Sequence, residues 1–225
     1  MTENLIDYLA KFATPDRIQL FDKVVQERTR YLTVVLEDIY HSQNASAVLR
    51  TCDCLGIQNV HIIEEQNPFN LNRRVTLGAA KWLNLYHYNA EQNNTRAAIR
   101  QLKTAGYRIV ATVPQAHSIS LEDFDLERGK TALIFGSEKP GISQTVKEEA
   151  DEFLTIPMVG FTESLNLSVS AAIILHHLTS KLKGSTIGWQ LSPAERSSLK
   201  LEWLRRSIRS SDLIEKEYHN RLSGG

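Results

Sequence analysis

The chain has 225 residues, with 26 Lys+Arg balanced by 26 Asp+Glu, 42% hydrophobic residues and two cysteines. That length and apolar content bury a sizeable core, which excludes disordered, collagenous and coiled-coil classes. Two cysteines build neither a disulfide framework nor a four-cysteine zinc site, no apolar run reaches the roughly 18 to 20 residues of a membrane span, and Met1 to Ala13 is acidic-polar rather than a basic signal peptide, so the expectation is a cytoplasmic protein with no metal and no membrane. A formal charge of zero also argues against nucleic acid, whose binders usually carry a basic surplus.

Residues 1–30 read as one or two amphipathic helices with five basic and five acidic residues and no sheet pattern. Short β-branched runs follow at Leu32 to Glu37, Val60 to Glu64, Leu83 to Tyr88, Tyr107 to Val113, Thr131 to Gly136 and Phe153 to Met158, giving six predicted strands. Helical segments lie between them at Asn44 to Leu55, Gln92 to Ala105 and Ile142 to Ala150, the alternation of an α/β protein with a mostly parallel sheet flanked by helices. Continuously apolar strands such as Ala132-Leu133-Ile134-Phe135 fit a sheet covered on both faces. After about Lys183 the chain turns helical again. Ser192-Pro193-Ala194-Glu195 is a capping box with Pro at the first helical position, and Leu201, Leu204 and Ile208 give that helix a docking face. The predicted organisation is an N-terminal helical extension at 1–30, a central domain at 31–182 and a basic C-terminal helical extension at 183–225.

In open parallel sheets ligands bind beyond the carboxyl ends of strands, and three polar blocks follow strands here. The first runs from His41 to Arg50. Asn44 is a good helix N-cap and Gly56 a good stop, but capping leaves Arg50 unexplained; it is either a solvated surface charge or a phosphate ligand. The second is Phe135-Gly136-Ser137-Glu138-Lys139-Pro140-Gly141, either a plain turn or a loop whose glycines admit a ligand close to the backbone, with Glu138 at the mouth of the sheet. The third runs from Ile156-Pro157-Met158 through Ser164-Leu165-Asn166-Leu167-Ser168-Val169-Ser170 into the apolar helix Ala171 to Leu178. One of its small polar residues is expected to cap the helix, and the surplus suggests a binding loop.

Other candidates fail. Cys52 and Cys54 point about 200° apart on a helix and cannot chelate one metal. His176-His177 lies in an apolar helix and reads as a core edge. Glu64 ends a strand as a ribose-binding acid would, yet no G-x-G-x-x-G follows the first strand.

Together, Asn44-x-x-Ala47-Val48-Leu49-Arg50-Thr51, then Leu133-Ile134-Phe135-Gly136-Ser137-Glu138-x-x-Gly141, then Ile156-Pro157-Met158 with Ser164-Leu165-Asn166-x-Ser168-Val169, resemble motifs 1, 2 and 3 of the SpoU/TrmH family of RNA 2'-O-methyltransferases, over about residues 30 to 182. The run Asn44 to Gly56 and the segment Gly78-Ala79-Ala80-Lys81-Trp82 most resemble members that modify guanosine 18 in the tRNA D-loop. The resemblance implies a SPOUT fold with a deep C-terminal trefoil knot, S-adenosyl-L-methionine bound in that knot, and a homodimer acting on tRNA. It implies cofactor contacts at Thr112, Gly136, Ile156 and Leu165, and functional positions at Arg50, Glu138, Ser164 and Asn166. Two departures stand out: His41-Ser42-Gln43 lacks the usual proline before Asn44, and Phe161-Thr162-Glu163 replaces an apolar-Val-Gln opening of motif 3.

A ribose 2'-hydroxyl is a poor nucleophile, so its proton must leave while the methyl donor is held in line. A guanidinium with a pKa above about 12 is an awkward general base, so Arg50 is expected to clamp the neighbouring phosphate, with the phosphate or the arginine taking the proton. On this reading Glu138 and Asn166 hold Arg50 and the substrate, and Ser164 orders its loop. The alternatives are a methyltransferase for ribosomal RNA or another tRNA position, and a non-catalytic RNA-binding module. The zero charge is uneven: residues 131–180 hold two basic and six acidic residues, whereas 181–225 hold nine basic and five acidic. Lys200, Arg205, Arg206 and Arg209, with Trp203 among them, are therefore expected to bind RNA alongside Asn44 and Arg50.

Overall fold

A computed structural model describes residues 2–114 and 118–223. In chain order the elements are α1 (Thr2–Ala10), α2 (Pro15–Gln26), β1 (Leu32–Glu37), α3 (Ser42–Leu55), β2 (Asn59–Ile63), α4 (Arg73–Thr76), a 3-10 turn (Ala79–Trp82), β3 (Asn84–Tyr88), α5 (Asn94–Thr104), β4 (Arg108–Thr112), β5 (Ile119–Ser120), β6 (Thr131–Phe135), α6 (Gln144–Glu149), β7 (Glu152–Thr155), α7 (Leu167–Lys183), α8 (Pro193–Ser207) and α9 (Ser211–Ser223). They form two compact units, residues 29–189 and residues 1–28 with 190–225.

The larger unit holds a seven-stranded sheet in the order β3-β2-β1-β6-β4-β7-β5, and every named pairing is parallel. Strand periodicity sorts the side chains onto two faces. Leu32, Val34, Leu36, Leu133 and Phe135 pack with Val48, Leu49 and Cys52 of α3 and Ile174, Leu175 and Leu178 of α7. Val35, Ala132 and Ile134 pack on the other face with Ala98, Ile99 and Leu102 of α5 and Val146 of α6. Burial on both faces is why these strands read as unbroken apolar runs.

All six predicted strands are present, with ends shifted by up to three residues. The seventh, β5, is two residues long and carries no period to read. The third polar block leaves the sheet at Thr155, and α7 begins at Leu167, four residues before the predicted Ala171, with Ser168 and Ser170 inside its first turns. Asn44 is not the cap of α3. The chain turns helical at Ser42, His41 occupies the N-cap position without a side-chain cap bond, and Asn44 is left free for another partner.

In the smaller unit α1 packs on α8 and α9, and α2 packs on α8. The Ser192 capping box is formed in both directions, Ser192 Oγ accepting from the Glu195 N–H and Glu195 from the Ser192 N–H. The buried face of α8 is Leu199, Leu201, Trp203 and Leu204, whereas Ile208 is a half-buried C-cap. Trp203 is 1% exposed, 5.5 Å from the Phe21 ring, and the Arg28 guanidinium lies 5.3 Å over it. It is a core residue and offers no ring to an RNA base.

Candidate active site

The carboxyl ends of β4, β6 and β7, the start of α3 and the loop before α7 line a cleft of about 770 Å³. Thr112, Gly136, Glu138, Ile156, Ser164, Leu165, Asn166 and Asn44 all line it. Eight of the residues singled out in the sequence thus meet at one place, although they come from segments 122 residues apart.

Directly after β6, nothing larger than glycine fits at Gly136: a Cβ there would lie 2.4 Å from the Gly141 carbonyl carbon and 2.5 Å from the Ile142 nitrogen. The chain doubles back at once, Ser137 and Gly141 exchanging two backbone hydrogen bonds of 3.1 and 3.0 Å, with Gly141 at φ 85°. This tight turn presents Glu138 to the cleft. Glu138 Oε1 accepts from Asn44 Nδ2 at 2.6 Å, and Asn44 Oδ1 accepts from Asn166 Nδ2 at 3.2 Å. Asn166 Oδ1 accepts from the Ser168 N–H at 2.9 Å and its hydroxyl at 2.6 Å, which caps α7. One polar chain therefore runs from the α7 N-terminus through Asn166 and Asn44 to Glu138.

Glu138 Oε2 is buried and has no donor among the described residues. A buried acceptor left unpaired costs about 1–3 kcal/mol, so this oxygen is set up for a donor arriving with a ligand. Thr112, at the end of β4, lines the cleft and donates its hydroxyl to the Ile134 carbonyl at 3.0 Å.

Arg50 is the exception. It is exposed on α3 and is not among the residues lining the cleft. Six residues after Asn44, it lies about 120° round the helix from it. Glu138 and Asn166 hold Asn44 in the place where Arg50 was expected. The four C-terminal basic residues are also partly engaged: Lys200 pairs with Asp22, Arg205 with Glu215, and Arg206 with Glu202 at 3.5 Å, while Arg209 is exposed.

Sequence reasoning missed the residues that fix the surrounding loops. Asp38, at φ 52°, accepts at Oδ1 from the N–H groups of Glu65, Gln66 and Asn67 at 3.0, 2.8 and 2.8 Å. Buried Ser46 accepts from the Asn72 N–H at 2.9 Å, and Glu37 closes β1 with a buried carboxylate. Acids directly after an apolar strand were the available signal. Among the described residues no group of three His, Cys, Asp or Glu is placed to hold a metal ion, and no helix is long and apolar enough to cross a membrane.

Residues 31–176 match the SpoU rRNA Methylase family. The chain belongs to this family. The tRNA (guanosine(18)-2'-O)-methyltransferase of Borreliella burgdorferi is 44% identical to it over 93% of this chain and 94% of the relative. The enzyme of the same name from Thermus thermophilus is 31% identical over 86% and 98%. The crystal structure of the A. aeolicus TrmH/SpoU tRNA modifying enzyme superposes with a TM-score of 0.75 at 27% identity, covering 87% of this chain and 98% of that one. An AdoMet-bound rRNA methyltransferase from Sinorhizobium meliloti superposes at 0.61 and 27% identity, covering 72% and 60%. The span matched to the SpoU family contains every residue of the Asn44, Glu138 and Asn166 chain together with Arg50.

Proposed function

We propose that this SpoU family member is a tRNA (guanosine-2'-O-)-methyltransferase that uses S-adenosyl-L-methionine and acts on guanosine 18 of the D-loop. The observation that carries the reading is the hydrogen-bonded chain of Asn44, Glu138 and Asn166, drawn from three separate segments into one cleft. The likeness to the Borreliella burgdorferi enzyme over nearly its whole length supports the tRNA target.

The cleft fits the cofactor on two counts. The turn at Gly136 brings bare backbone to the cleft wall, and Glu138 keeps an unpaired oxygen there. Thr112, Gly136, Ile156 and Leu165 would hold S-adenosyl-L-methionine, largely through backbone groups. When bound, it supplies an electrophilic methyl group to the ribose oxygen. Glu138, locked by Asn44, orients the incoming groups, and Ser164 and Asn166 shape the loop over them. Arg50, exposed and without an ion-pair partner among the described residues, takes an RNA phosphate bidentately as the guanidinium and orients the 2'-hydroxyl, whose proton goes to that phosphate.

The same reading includes a trefoil knot formed around the cleft, with residues 31–182 as the methyltransferase domain and residues 1–30 and 183–225 as helical extensions that meet RNA. It also includes a cytoplasmic homodimer. Val159 and Phe161 are fully exposed, and Val169 and Ile173 stand one turn apart on α7 at 46% and 40% exposure, an apolar face of the kind a second copy covers.

Incubation with labelled S-adenosyl-L-methionine and either bulk tRNA or ribosomal RNA, followed by mapping of the methylated ribose, tests the reading. Label at guanosine 18 of tRNA is the expected result. Label confined to ribosomal RNA overturns the target, and cofactor binding without transfer to any RNA overturns the activity.

A further inference from the structure

β1 reads Leu-Thr-Val-Val-Leu-Glu and all six residues are buried, so the strand ends in a carboxylate at 2% exposure. A carboxylate in such a place must be bound by donors. Glu37 finds them far along the chain: its Oε1 accepts from the Thr95 hydroxyl at 3.0 Å, and its Oε2 accepts from the Ser143 N–H at 2.9 Å, 106 residues away. Ser143 in turn caps α6, its hydroxyl accepting from the Val146 N–H at 3.2 Å.

The turn that presents Glu138 lies directly between β6 and Ser143. Its entry is fixed by the sheet, since Phe135 is in register with Leu36. Its exit has no strand to hold it, and the Ser137–Gly141 pair closes the turn only on itself. The Glu37 carboxylate clips that exit to the neighbouring strand, so both ends of the turn are referred to β1.

We infer that Glu37 is a positioning residue for the Gly136–Ile142 turn: by holding the Ser143 N–H it sets where Gly141 and Glu138 stand in the cleft, and it thereby governs cofactor affinity without touching cofactor or RNA. This rests on the cleft being the S-adenosyl-L-methionine site. An amide at position 37 keeps the geometry, its oxygen accepting from Ser143 and its nitrogen donating to the Thr95 hydroxyl, whereas a methyl group keeps neither bond.

Glu37→Ala, Glu37→Gln and Thr95→Val separate positioning from packing. Glu37→Ala should raise KM for S-adenosyl-L-methionine about tenfold, the size of one lost buried hydrogen bond, with KM for tRNA changed by less than about twofold. Glu37→Gln should restore the wild-type value, and Thr95→Val should lower Tm while leaving cofactor KM alone. In the ligand-free protein, hydrogen exchange at the Gly141 and Ser143 amides should accelerate in Glu37→Ala and not in Glu37→Gln. A Glu37→Ala protein that melts earlier but keeps its cofactor KM and its amide protection overturns the inference. If the wild type binds no S-adenosyl-L-methionine, the reading of the cleft fails by itself, and the exchange rates still decide whether Glu37 holds the turn. Should Glu37→Ala not fold, Glu37→Asp, too short to reach both donors, is read in the same way.

Discussion

Gly136 shows how little freedom a single position in the cleft has. A methyl group there meets backbone at 2.4 Å, and the turn must move to admit it. Gly136→Ala should therefore cost about 1–3 kcal/mol and abolish calorimetric binding of S-adenosyl-L-methionine; unchanged binding would show that the turn is not part of the cofactor site. Arg50→Ala should lose turnover on the order of 100-fold with cofactor affinity intact, and Arg50→Lys should not rescue it, because a point charge cannot make a bidentate clamp. Near-normal turnover in Arg50→Lys would remove the clamp from the mechanism. The glycine and the acid were legible in the sequence because a glycine-rich turn between a buried strand and a helix is a local signal. The role of Asn44 was not. Its spacing fits a cap, and the partner that claims its side chain, Glu138, lies 94 residues further on.

Among the elements, the β2–β3 pair carries a titration that reports on the fold. His61 is 6% exposed, stacked at 4.7 Å on Tyr86, with Nδ1 2.9 Å from the Tyr88 hydroxyl. Burial lowers the His61 pKa to about 4 and pushes Tyr88 up to about 12. The folded chain thus keeps His61 neutral while the unfolded chain takes up a proton below 6.5, so stability is lost as pH falls from 6.5 toward 4, by on the order of 3 kcal/mol at most. Urea unfolding of His61→Phe across that range should show a shallower loss than the wild type, and equal slopes would mean that burial does not depress the group. The strand itself was plain from its apolar run, as were five others. The two-residue β5 was hidden because periodicity needs length, and the true start of α7 was hidden because Ser168 and Ser170 looked like loop while serving its first turns.

For the molecule as a whole, the division into units changes how its charge is read. Residues 181–225 look strongly basic alone, but the helical unit unites 190–225 with 1–28, and together these hold eleven basic and ten acidic residues. Asp22 pairs with Lys200 across that gap in sequence, which no count by segment reveals. On the proposed reading, RNA attraction at this unit would fall to side chains such as Arg209 that remain exposed. Arg209→Ala should weaken tRNA binding and reduce the slope of log affinity against log salt by about 1 with Tm unchanged, whereas Lys200→Ala should disturb the helical unit as well. Unchanged affinity and slope would remove Arg209 from the RNA surface. Deleting everything after Lys183 is a poor test of RNA binding, because it also takes away Leu199, Trp203 and Leu204 and strips the cover from Phe21. The shared helical unit also imposes an order on events at the ribosome. The partners of α1 and α2 begin at Pro193, so at roughly 5–20 residues per second the first two helices wait on the order of ten seconds or more with Leu9, Phe21 and Val25 unmatched, while the whole sheet is synthesised. The nascent α1 and α2 need protection until α8 and α9, the helices they pack on, have emerged.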